Sequence, residues 1–443
     1  MFDYHQKLIS IDSALSLVKT RDHIVVGLGP NEPQTFLAAL HHIADRVTDV
    51  TITSTLALGS YEYLSEPYIH SFWIDSWFLS PALRKAQPFG RVNYLPCHLS
   101  NFVKSRCEAR DIDIVITLAS MPDENGRVRF ATGNTYEKGM GDNAKLRIAE
   151  ISPNVPHVPG DNYWDWDEID YVIESDAKVP EAGKPTPSEK DKLLAANVAA
   201  LIHDGDCLQL GIGAIPNAVC DLLLDRKDLG VHTEMMTPGM AELMKAGVVT
   251  GAHKKFGTGK AVAAFGYGDQ AFYDFISDNN DIFMMSGHIV NDPAVIARNP
   301  QQVSINMAME VEITGQVCSE SIGHRQFSGT GGQADTAIGA RRSPGGRSII
   351  AMPSVLIKKD RKTGEVQRFS KIVSQLKPGA VVSLSRNDAD WVVTENGAVC
   401  LWGLSIAERV RKLISVAHPD FQEDLMRDAV NFGFIPLAPT TRR

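Results

Sequence analysis

The chain has 443 residues, of which 44% are hydrophobic and 22% are charged, and this composition is typical of a globular enzyme with two domains. A formal net charge of −9 argues against nucleic acid as the main partner, although local Lys and Arg side chains can still surround an anionic substrate. The six cysteines are scattered without metal-ligand spacing, so we expect free thiols, no metal and a cytoplasmic protein.

The amino-terminal half begins without a recognisable targeting segment. Met1–Lys7 lacks the apolar core of a signal peptide, and no run of about 18 apolar residues occurs in the chain, so no membrane contact is expected. Residues 14–29 have the pattern of a helix end, a polar turn, a short strand and a Gly-x-Gly turn. Val50–Ser54 and Asp111–Leu118 predict further strands. Alternation of strands and helices favours α/β layers with largely parallel sheets.

The pattern of residues 14–29 recurs at residues 198–213, roughly one domain length further along the chain. Between the two copies lies Ala177–Lys190, a proline-rich polar stretch that indicates a linker. We therefore expect an α/β protein with two similar open domains from a tandem duplication. The domains would comprise residues 1–180 and 181–443, with the active site at their interface.

The second copy ends in the turn Gly211-Ile212-Gly213, which precedes a predicted helix over Asn217–Leu224. Glycines between a strand and a helix let the backbone approach a ligand and leave amide groups free at the start of the helix. The alternative is an ordinary tight turn. A dinucleotide site is disfavoured because Pro216 occupies the position of the third glycine.

The segment His232-Thr-Glu234 follows a short apolar run and predicts the carboxyl end of a strand. Open α/β sheets place their ligands at that edge. Glu234 is therefore a candidate for a catalytic carboxylate that faces the amides of the glycine turn. The alternative is a solvated Glu on a loop.

Residues 328–335 read S-G-T-G-G-Q-A-D and include Gly331, Gly332 and Gln333. Three glycines in so short a stretch predict unusual backbone angles or a close approach to a ligand. This loop could supply a second oxyanion donor or bind a phosphate. The alternative is a flexible surface loop.

The last part of the chain contains further strand and helix patterns. Ser348–Met352 and Ala380–Leu384 predict strands, and Ile406–Ser415 has apolar residues at helical spacing. Arg386–Asp388 are expected to hold a loop through hydrogen bonds. Glu395, which precedes Asn and Gly, is a candidate for a second nucleophile, but a strand followed by a turn explains that segment better.

Six stretches form an ordered set along the chain: G-I-G-A-I-P-N-A-V, L-G-V-H-T-E-M, V-S-I-N-M-A-M-E-V-E-I-T-G-Q-V-C-S-E-S-I-G, R-Q-F-S-G-T-G-G-Q-A-D, S-R-N-D-A-D-W-V-V-T-E-N-G and A-H-P-D-F. Each is weakly specific, whereas the ordered set is very specific. Together they resemble the acetyl-CoA hydrolase/transferase family of coenzyme A transferases, and most closely its 4-hydroxybutyrate and butyrate:acetate branch. The resemblance extends through nearly all of the chain and is strongest between Pro187 and Phe421.

The resemblance implies an enzyme that uses acyl-CoA and small carboxylic acids as substrates, needs no metal and forms a homo-oligomer, either a dimer or a tetramer. The family's nucleophilic glutamate corresponds to Glu234, and its backbone oxyanion donors correspond to Gly211–Gly213 and Gly331–Gly332. Glu395 imitates a motif of related oxoacid transferases but lies too far beyond the glycine turn. The implied mechanism is ping-pong, through an acyl–glutamyl anhydride and a glutamyl–CoA thioester.

The sequence departs from the family pattern near the expected acyl site. An apolar segment is replaced at Tyr267, an aromatic residue is replaced by Thr336, and Arg341 and Arg342 enrich the following stretch in cations. These arginines would suit a second carboxylate, so a dicarboxylic acid such as itaconate or succinate is a candidate acceptor. The alternatives are solvated arginines or contacts with CoA phosphates. The candidates for substrate or CoA contact are His232, Met235, Tyr267, Arg341 and Arg342.

Three functions follow as hypotheses. The first is an acyl-CoA:carboxylate CoA-transferase that moves CoA from acetyl-, butyryl- or succinyl-CoA to a small acid of the 4-hydroxybutyrate type. The second is an acyl-CoA hydrolase that uses the same Glu234 but admits water. The third is a non-catalytic CoA-binding protein, which is disfavoured because the nucleophile and both glycine-rich loops are present.

Overall fold

The computed structural model describes residues 4–183, 185–211, 213–360 and 363–435. The strands of its amino-terminal part are β1 (His23–Val26), β2 (Val50–Ser54), β3 (Phe72–Ser76), β4 (Val92–Tyr94), β5 (Ile112–Ser120), β6 (Arg127–Arg129), β7 (Ala144–Ser152), β8 (Tyr163–Asp165) and β9 (Tyr171–Glu174). The α-helices of this part are α1 (Ile11–Leu17), α2 (Gln34–Ala39), α3 (Glu66–Ile69), α4 (Pro81–Ala86), α5 (Phe102–Ala109) and α6 (Glu137–Gly141). Short 3₁₀ helices span Tyr4–Lys7, Gly29–Asn31, Leu40–Ile43, Glu62–Leu64, Gln87–Phe89, Leu99–Asn101 and Trp166–Glu168.

The carboxyl-terminal part has the same alternation of strands and helices. Its strands are β10 (Cys207–Leu210), β11 (Gly230–Met236), β12 (Ala261–Gly266), β13 (Ile282–Met284), β14 (Gln302–Met307), β15 (Glu310–Glu312), β16 (Val317–Cys318), β17 (Ser321–Ile322), β18 (Arg325–Gln326), β19 (Arg347–Ala351), β20 (Val355–Lys359), β21 (Val366–Ser370), β22 (Ile372–Val373), β23 (Trp391–Thr394) and β24 (Gly397–Cys400). Its α-helices are α7 (Glu189–Ala199), α8 (Ala214–Asp221), α9 (Pro238–Lys245), α10 (Gln270–Ile276), α11 (Gly287–Val290), α12 (Pro293–Ile296), α13 (Gln333–Arg342), α14 (Ile406–Ser415) and α15 (Pro419–Asn431). In the described ranges, no helix is long and apolar enough to cross a membrane.

Each part is organised by one large sheet with its first strand in the interior. The first sheet has the order β4-β3-β2-β1-β5-β7-β9, and all of these neighbours are parallel. The second has the order β13-β12-β11-β10-β14-β19-β23-β24, in which β24 joins antiparallel to β23 at the edge. In both sheets three strands follow on one side before the chain crosses to the other side. This common order confirms the expected pair of similar α/β domains.

The interior strands β1 and β10 are buried along their whole length, as expected for parallel strands covered on both faces. One cluster of buried side chains joins the two domains, because it combines Val25 and Phe130 with Ala264 and Phe265. Gly133 forms a bridge to Phe265, and a Cβ atom at Gly133 would lie 2.4 Å from the Cα of Phe265. The two domains therefore share a core beside the carboxyl end of β12.

Most of the predicted elements are confirmed, with one error and some shifted boundaries. Ile406–Ser415 is α14, but Ala380–Leu384 is not a strand and contributes only an isolated bridge between Leu384 and Val317. The valines in that stretch are exposed, so their high β-propensity is not reinforced by burial. The helix predicted from Asn217 begins earlier, at Ala214, because a proline is tolerated in the first turn of a helix.

Candidate active site

Glu234 lies on β11, next to the first strand of the second sheet. Leu208 of β10 pairs with Val231 of β11, and the same register continued along both strands sets Gly211 beside Glu234. After β10 the chain adds β11, β12 and β13 on one side of it and then crosses to add β14 on the other side. The carboxyl edge at such a reversal is where open α/β sheets bind ligands.

One oxygen of the Glu234 carboxylate accepts a hydrogen bond from an amide side chain. Asn291 Nδ2 donates to Glu234 Oε2 at 2.9 Å. Asn291 is fully buried at the end of α11, and its own backbone amide donates to Gly287 at 2.9 Å. The backbone of Asn291 is therefore held in place, and its side-chain amide orients the carboxylate.

The loop before α13 packs directly on the same carboxylate. A Cβ atom at Gly332 would lie 2.1 Å from Oε2 of Glu234 and 2.0 Å from Nδ2 of Asn291, so only glycine fits there. Gly331 has φ +52°, a left-handed conformation that favours glycine. Gly332 is the N-terminal cap of α13, so the carboxylate lies at the positive end of that helix.

The protonation of Glu234 is shifted toward neutral pH. Burial and, to a smaller extent, the nearby Asp335 carboxylate raise the pKa of its carboxyl to about 7, although hydrogen bonds from the Asn291 amide and the Gly332 backbone amide oppose this shift. A substantial share of Glu234 is thus ionised at neutral pH, and the group keeps the basicity of a good nucleophile. Shifted carboxyl groups of this kind are concentrated at functional sites.

The glycine-rich loop is held by the amino-terminal domain and is not a free surface loop. The Thr330 amide donates to the Tyr94 hydroxyl at 3.2 Å, and that hydroxyl donates to Glu320 at 2.6 Å. A Cβ atom at Gly329 would lie 1.9 Å from the carbonyl oxygen of Trp77, so this glycine permits close docking. At the start of α13, the Ser100 hydroxyl donates to Asp335 at 2.8 Å. Both domains therefore position the loop beside Glu234.

His232 is buried in the protein next to Asn291 and does not face the carboxyl edge where a ligand would bind. It is 1% exposed, and its Nε2 donates to the carbonyl of Val290 at 2.8 Å, directly before Asn291. Burial and the positive charge of Lys254 lower the pKa of His232 to about 3, so the ring is neutral. Its predicted contact with substrate or CoA is wrong, because the side chain is enclosed in the protein.

Met235 and Tyr267 both pack against the cluster of buried side chains that the two domains share. Met235 follows Glu234 on the strand, so its side chain points to the opposite face, where it packs on the cluster shared by the two domains. Tyr267 follows the end of β12, and its hydroxyl donates to the carbonyl of Glu181 at 3.5 Å. Tyr267 is partly exposed and its contact with a ligand stays a prediction.

Gln333 connects the glycine-rich loop to the end of β14. Its Nε2 donates to the carbonyl of Met307 at 3.0 Å, and its Oε1 has no hydrogen-bond partner among the described residues. Because Gln333 directly follows Gly332, this bond fixes the first turn of α13 at the carboxyl edge of the sheet. Its predicted part in the substrate loops is therefore compatible with its position.

The turn at residues 211–213 lies at the same edge. Gly213 has φ +131° and precedes α8, whose first turn has no side-chain cap. The amides of Gly211 and Gly213 meet no acceptor within the described residues. Ile212 lies outside the described residues. The role of this turn as an oxyanion donor stays a prediction.

Arg341 and Arg342 are not at the carboxylate. They lie in the last turn of α13, whereas Glu234 is at its first turn, and a helix rises about 1.5 Å per residue, or roughly 12 Å over this distance. Arg341 pairs with Asp390 at 3.3 Å and stacks on Trp402 at 3.7 Å, and Arg342 is exposed. The expectation that these arginines receive a second carboxylate beside Glu234 is therefore wrong for this arrangement.

Glu395 has a structural role. Its two oxygens accept hydrogen bonds from the amide and the hydroxyl of Ser354, both at 2.7 Å. It lies in the turn between β23 and β24, which confirms the interpretation as a strand followed by a turn. This carboxylate is committed to Ser354 and leaves Glu234 as the candidate nucleophile.

Sequence reasoning missed Asn291 and the neighbouring polar cluster. Ser304 donates to Gln209 at 2.8 Å, and Asn306 donates to Ser304 at 2.9 Å and to Thr336 at 3.1 Å. These side chains lie on β10, β14 and α13 beside the glycine turn. Thr336 stood out only as a departure from the family pattern, and the other residues carry no local motif that indicates their role.

Across the described ranges, no group of three or more His, Cys, Asp or Glu side chains is arranged to hold a metal ion. The expectation that the protein needs no metal stays a prediction.

Comparisons with known proteins identify the chain as an enzyme of the CoA-transferase class and specify its family. The profile of the acetyl-CoA hydrolase/transferase N-terminal domain matches residues 2–181, and the profile of the C-terminal domain matches residues 268–429. The chain belongs to the acetyl-CoA hydrolase/transferase family. This confirms the resemblance found in the sequence.

Similar proteins cover almost the whole chain. A 4-hydroxybutyrate coenzyme A transferase of Clostridium kluyveri is 38% identical over 96% of this chain and 97% of its own length. A succinyl-CoA:cyclohexane-1-carboxylate CoA transferase of Geobacter metallireducens is 35% identical, with 96% of both chains covered. The crystal structure of RipA from Yersinia pestis superposes with a TM-score of 0.91 at 32% identity, covering 98% of this chain and 99% of RipA. A 4-hydroxybutyrate CoA-transferase structure from Porphyromonas gingivalis gives 0.80 at 30%, with 97% and 98% covered.

Proposed function

We propose that this protein is an acyl-CoA:carboxylate CoA-transferase that works by a ping-pong mechanism through a glutamyl-CoA thioester on Glu234. The observation that carries the proposal is the placement of the Glu234 carboxylate between the Asn291 amide and Gly332 at the start of α13. A nucleophile with a pKa of about 7, set beside hydrogen-bond donors, is suited to attack on an acyl carbonyl.

The first half-reaction forms two covalent intermediates. The Glu234 carboxylate attacks the thioester carbonyl, the C–S bond breaks, and an acyl–glutamyl anhydride and CoA thiolate result. The thiolate then attacks the glutamyl carbonyl, which gives the glutamyl-CoA thioester and releases the first acid as a carboxylate. A second carboxylate repeats these steps in reverse and leaves as the new acyl-CoA. Each step exchanges one acyl bond for another and needs no external proton or electron.

Every step passes through a tetrahedral intermediate with a negative oxygen. Candidate donors for this oxygen are Asn291 Nδ2, the backbone at Gly331–Gly332, and the backbone at residues 211–213. An oxyanion donor of this kind contributes about 3–4 kcal/mol of transition-state stabilisation in comparable sites. The positive end of α13 acts in the same direction.

The same geometry supports transfer over hydrolysis. Anhydride and thioester intermediates both react with water, so a transferase must keep water away from Glu234. The hydrogen bonds that join Thr330 to Tyr94 and Asp335 to Ser100 hold the loop beside Glu234 from the amino-terminal domain, and we propose that the bound substrates complete the exclusion of water. An acyl-CoA hydrolase that uses the same Glu234 remains the second candidate, because two of the matched relatives are named acetyl-CoA hydrolases.

The proposed substrates are short acyl-CoA thioesters, such as acetyl-, butyryl- or succinyl-CoA, and small acids of the 4-hydroxybutyrate type. The relatives support this range, because their names include 4-hydroxybutyrate, butyrate and succinyl-CoA. A dicarboxylate acceptor such as itaconate has less support, because Arg341 pairs with Asp390 and Arg342 is exposed at the far end of α13 from Glu234. A panel of acceptor acids on the purified protein will decide between these classes.

Acceptor dependence separates the two activities. Purified protein is incubated with butyryl-CoA, and CoA release is followed with and without acetate. The proposal predicts at most one CoA thiol per active site without acetate, and continuous formation of acetyl-CoA with it. Continuous CoA release without an acceptor, at a rate similar to that with acetate, would show a hydrolase.

The domain boundary, the oligomeric state and the cellular location are also proposals. We propose a boundary near residue 180 between the domains, a homo-oligomer of two or four chains and a cytoplasmic location. The boundary is supported by the cap of α7 at Ser188, which ends the irregular linker. The location is supported by six cysteines that are all free thiols.

A further inference from the structure

His232 is a buried polar side chain with no part in the proposed chemical steps. It is 1% exposed on β11, and its Nδ1 atom has no hydrogen-bond partner among the described residues. Burying an imidazole with one unpaired nitrogen costs free energy, so an apolar side chain would suit this position better if packing were its only task. The hydrogen bond of the other nitrogen is therefore the feature that needs a reason.

The hydrogen bond of His232 ends on a helix of one turn. α11 comprises only Gly287–Val290, and so short a helix is not stable by itself. The carbonyl of Val290 lies in its last turn, where carbonyls have no partner inside the helix. His232 Nε2 donates to this carbonyl at 2.8 Å. The bond therefore fixes the end of α11 to β11.

The same strand and the same helix end also make the contact with Glu234. Glu234 follows His232 by two positions on β11, so both side chains point to one face of the strand, about 7 Å apart. Asn291 directly follows Val290, and its Nδ2 donates to Glu234 Oε2 at 2.9 Å. Two neighbouring hydrogen bonds thus join β11 to the end of α11, and one of them includes the proposed nucleophile.

The imidazole of His232 has a rigid support. Lys254 Nζ donates to the carbonyl of Val231 at 2.7 Å. Gln302 Nε2 donates to the carbonyl of His232 itself at 3.1 Å. The ring of Phe256 meets the imidazole edge to face, with 5.7 Å between the ring centres. Because the backbone and the ring are both held, the Nε2 atom donates from a defined position.

We propose that His232 is a positioning residue for CoA transfer, which acts through Asn291. Its Nε2–H group holds the carbonyl before Asn291 and thereby sets the Asn291 amide against the Glu234 carboxylate. This inference rests on the proposed CoA-transferase function. Because burial lowers the pKa of His232 to about 3, its ring is neutral and carries one hydrogen. A carbonyl can only accept, so that hydrogen is on Nε2.

Two amide variants separate the hydrogen bond of His232 from its packing. His232→Gln can place an amide nitrogen near the position of Nε2, whereas the side chain of His232→Asn is one methylene shorter and does not reach Val290. With butyryl-CoA and acetate, we expect His232→Asn to lower kcat about 30-fold at unchanged KM, because the Asn291 amide acts on the nucleophile and on the oxyanion. His232→Gln restores a donor and should keep kcat within about threefold of the original value.

The pH dependence gives a readout that a loss of stability would not change. The Asn291 amide lowers the pKa of Glu234, so its displacement in His232→Asn should move the acidic limb of kcat/KM to higher pH, by about half a unit. A neutral amide replaces a neutral imidazole in this variant. The charged groups around the carboxylate therefore stay the same, namely Asp335 and, next to it, Asp292 and His98.

A second buried histidine provides the matched control. His23 on β1 is also 1% exposed, and its ring bonds the carbonyl of Asp111 at 2.9 Å. His23→Asn should lower Tm but keep kcat and the acidic limb, because β1 belongs to the sheet of the other domain. The kcat is expressed per active site, counted as the share of the Glu234 peptide that takes up the CoA adduct, so unfolded protein does not lower it.

A double-mutant cycle tests whether His232 acts through Asn291. Asn291→Ala should lower kcat about 100-fold, and adding His232→Asn should lower it by no more than about a further twofold. Losses that multiply in the double variant would overturn the proposal. So would an unchanged kcat and acidic limb in His232→Asn. Equal losses in His232→Asn and His232→Gln would show that the ring is needed for packing, and would overturn it as well.

The CoA adduct on Glu234 separates failure of this inference from failure of the proposed function. If unmodified protein forms the adduct with butyryl-CoA and His232→Asn keeps the original kcat and acidic limb, only the positioning proposal is wrong. If unmodified protein never forms the adduct, the proposed function itself is wrong.

Discussion

The two glycine turns of the duplicated domains share one architecture but differ in their hydrogen-bond contacts. In the first turn the amide of Leu28 donates to the carboxylate of Glu137 at 2.9 Å, and the amide of Gly29 donates to the carbonyl of Thr55 at 3.1 Å. In the second turn the amides of Gly211 and Gly213 meet no acceptor within the described residues. The first turn thus holds a carboxylate of its own chain through the amide of Leu28, whose counterpart Ile212 lies outside the described residues.

The residue that lies beside the turn also differs between the two domains. The parallel register of β1 and β2, continued by two residues, sets Thr55 beside Gly27, as Glu234 lies beside Gly211. Thr55 cannot act as a carboxylate nucleophile. The first turn with Glu137 therefore shows that this backbone can bind a carboxylate, and the second turn lies beside Glu234, the proposed nucleophile.

The largest expected effect comes from removing the reactive carboxylate. Glu234→Gln should lower kcat for CoA transfer on the order of 10⁴-fold or more, because the amide cannot form the anhydride. The control is Glu395→Gln, which changes the competing Glu-Asn-Gly motif and should keep most of the activity. Full activity of Glu234→Gln in a steady-state assay would disprove the assignment.

The second largest loss of activity is expected from filling the space between Gly332 and the Glu234 carboxylate. Gly332→Ala places a methyl group 2.1 Å from Glu234 Oε2, so we expect kcat to fall about 100-fold or more as the carboxylate is displaced. Gly183→Ala is the control, because a Cβ atom there meets no atom within 4 Å. Equal activity of both variants would show that the loop does not position Glu234.

Removing the carboxylate bound by the amino-terminal turn should lower the stability of the protein but not its kcat. Glu137→Ala leaves the amides of Leu28 and Asn31 without their buried acceptor, which should lower the free energy of unfolding by about 2–4 kcal/mol. Urea unfolding measures this loss. The residual folded protein should keep its kcat at 15 °C. A large loss of kcat in fully folded Glu137→Ala would mean that the first turn takes part in catalysis.

The smallest expected effect is on the pH dependence. Because the attacking form is the Glu234 carboxylate, kcat/KM should fall about tenfold per pH unit below a pKa of about 7 and level off above it. Removing the Asp335 charge in Asp335→Asn favours the ionised form of Glu234, so the acidic limb should move to lower pH. A limb that stays in place or moves to higher pH would contradict the assigned cause.

The sequence predicted the features that repeat or that lie close together along the chain. The duplicated helix, strand and turn pattern led to two similar domains, and Glu234 was identified from its segment beside the turn. Gly331 and Gly332 were recognised because three glycines in a short loop are unusual. These predictions required only local patterns and the family resemblance.

The features that depend on long-range packing were missed or misplaced. Asn291 reaches Glu234 from a distant part of the chain, and no local motif marks it. Arg341 is a substrate candidate in the sequence because its stretch is richer in cations than the family pattern, but α13 carries it away to Asp390. The docking of Thr330 on Tyr94 likewise joins distant segments, so only the folded chain shows it.

Transfer of an oxygen label to Glu234 tests the central claim most directly. The protein turns over butyryl-CoA with acetate that carries ¹⁸O in its carboxylate, and the digested peptides are weighed. When acetate attacks the glutamyl-CoA thioester, one of its oxygens becomes the anhydride bridge and stays on the glutamate as acetyl-CoA forms. We predict at least one ¹⁸O in the peptide with Glu234 and none in the peptides with Glu137 or Glu395. Continued turnover without label in the Glu234 peptide would contradict the covalent role of this residue.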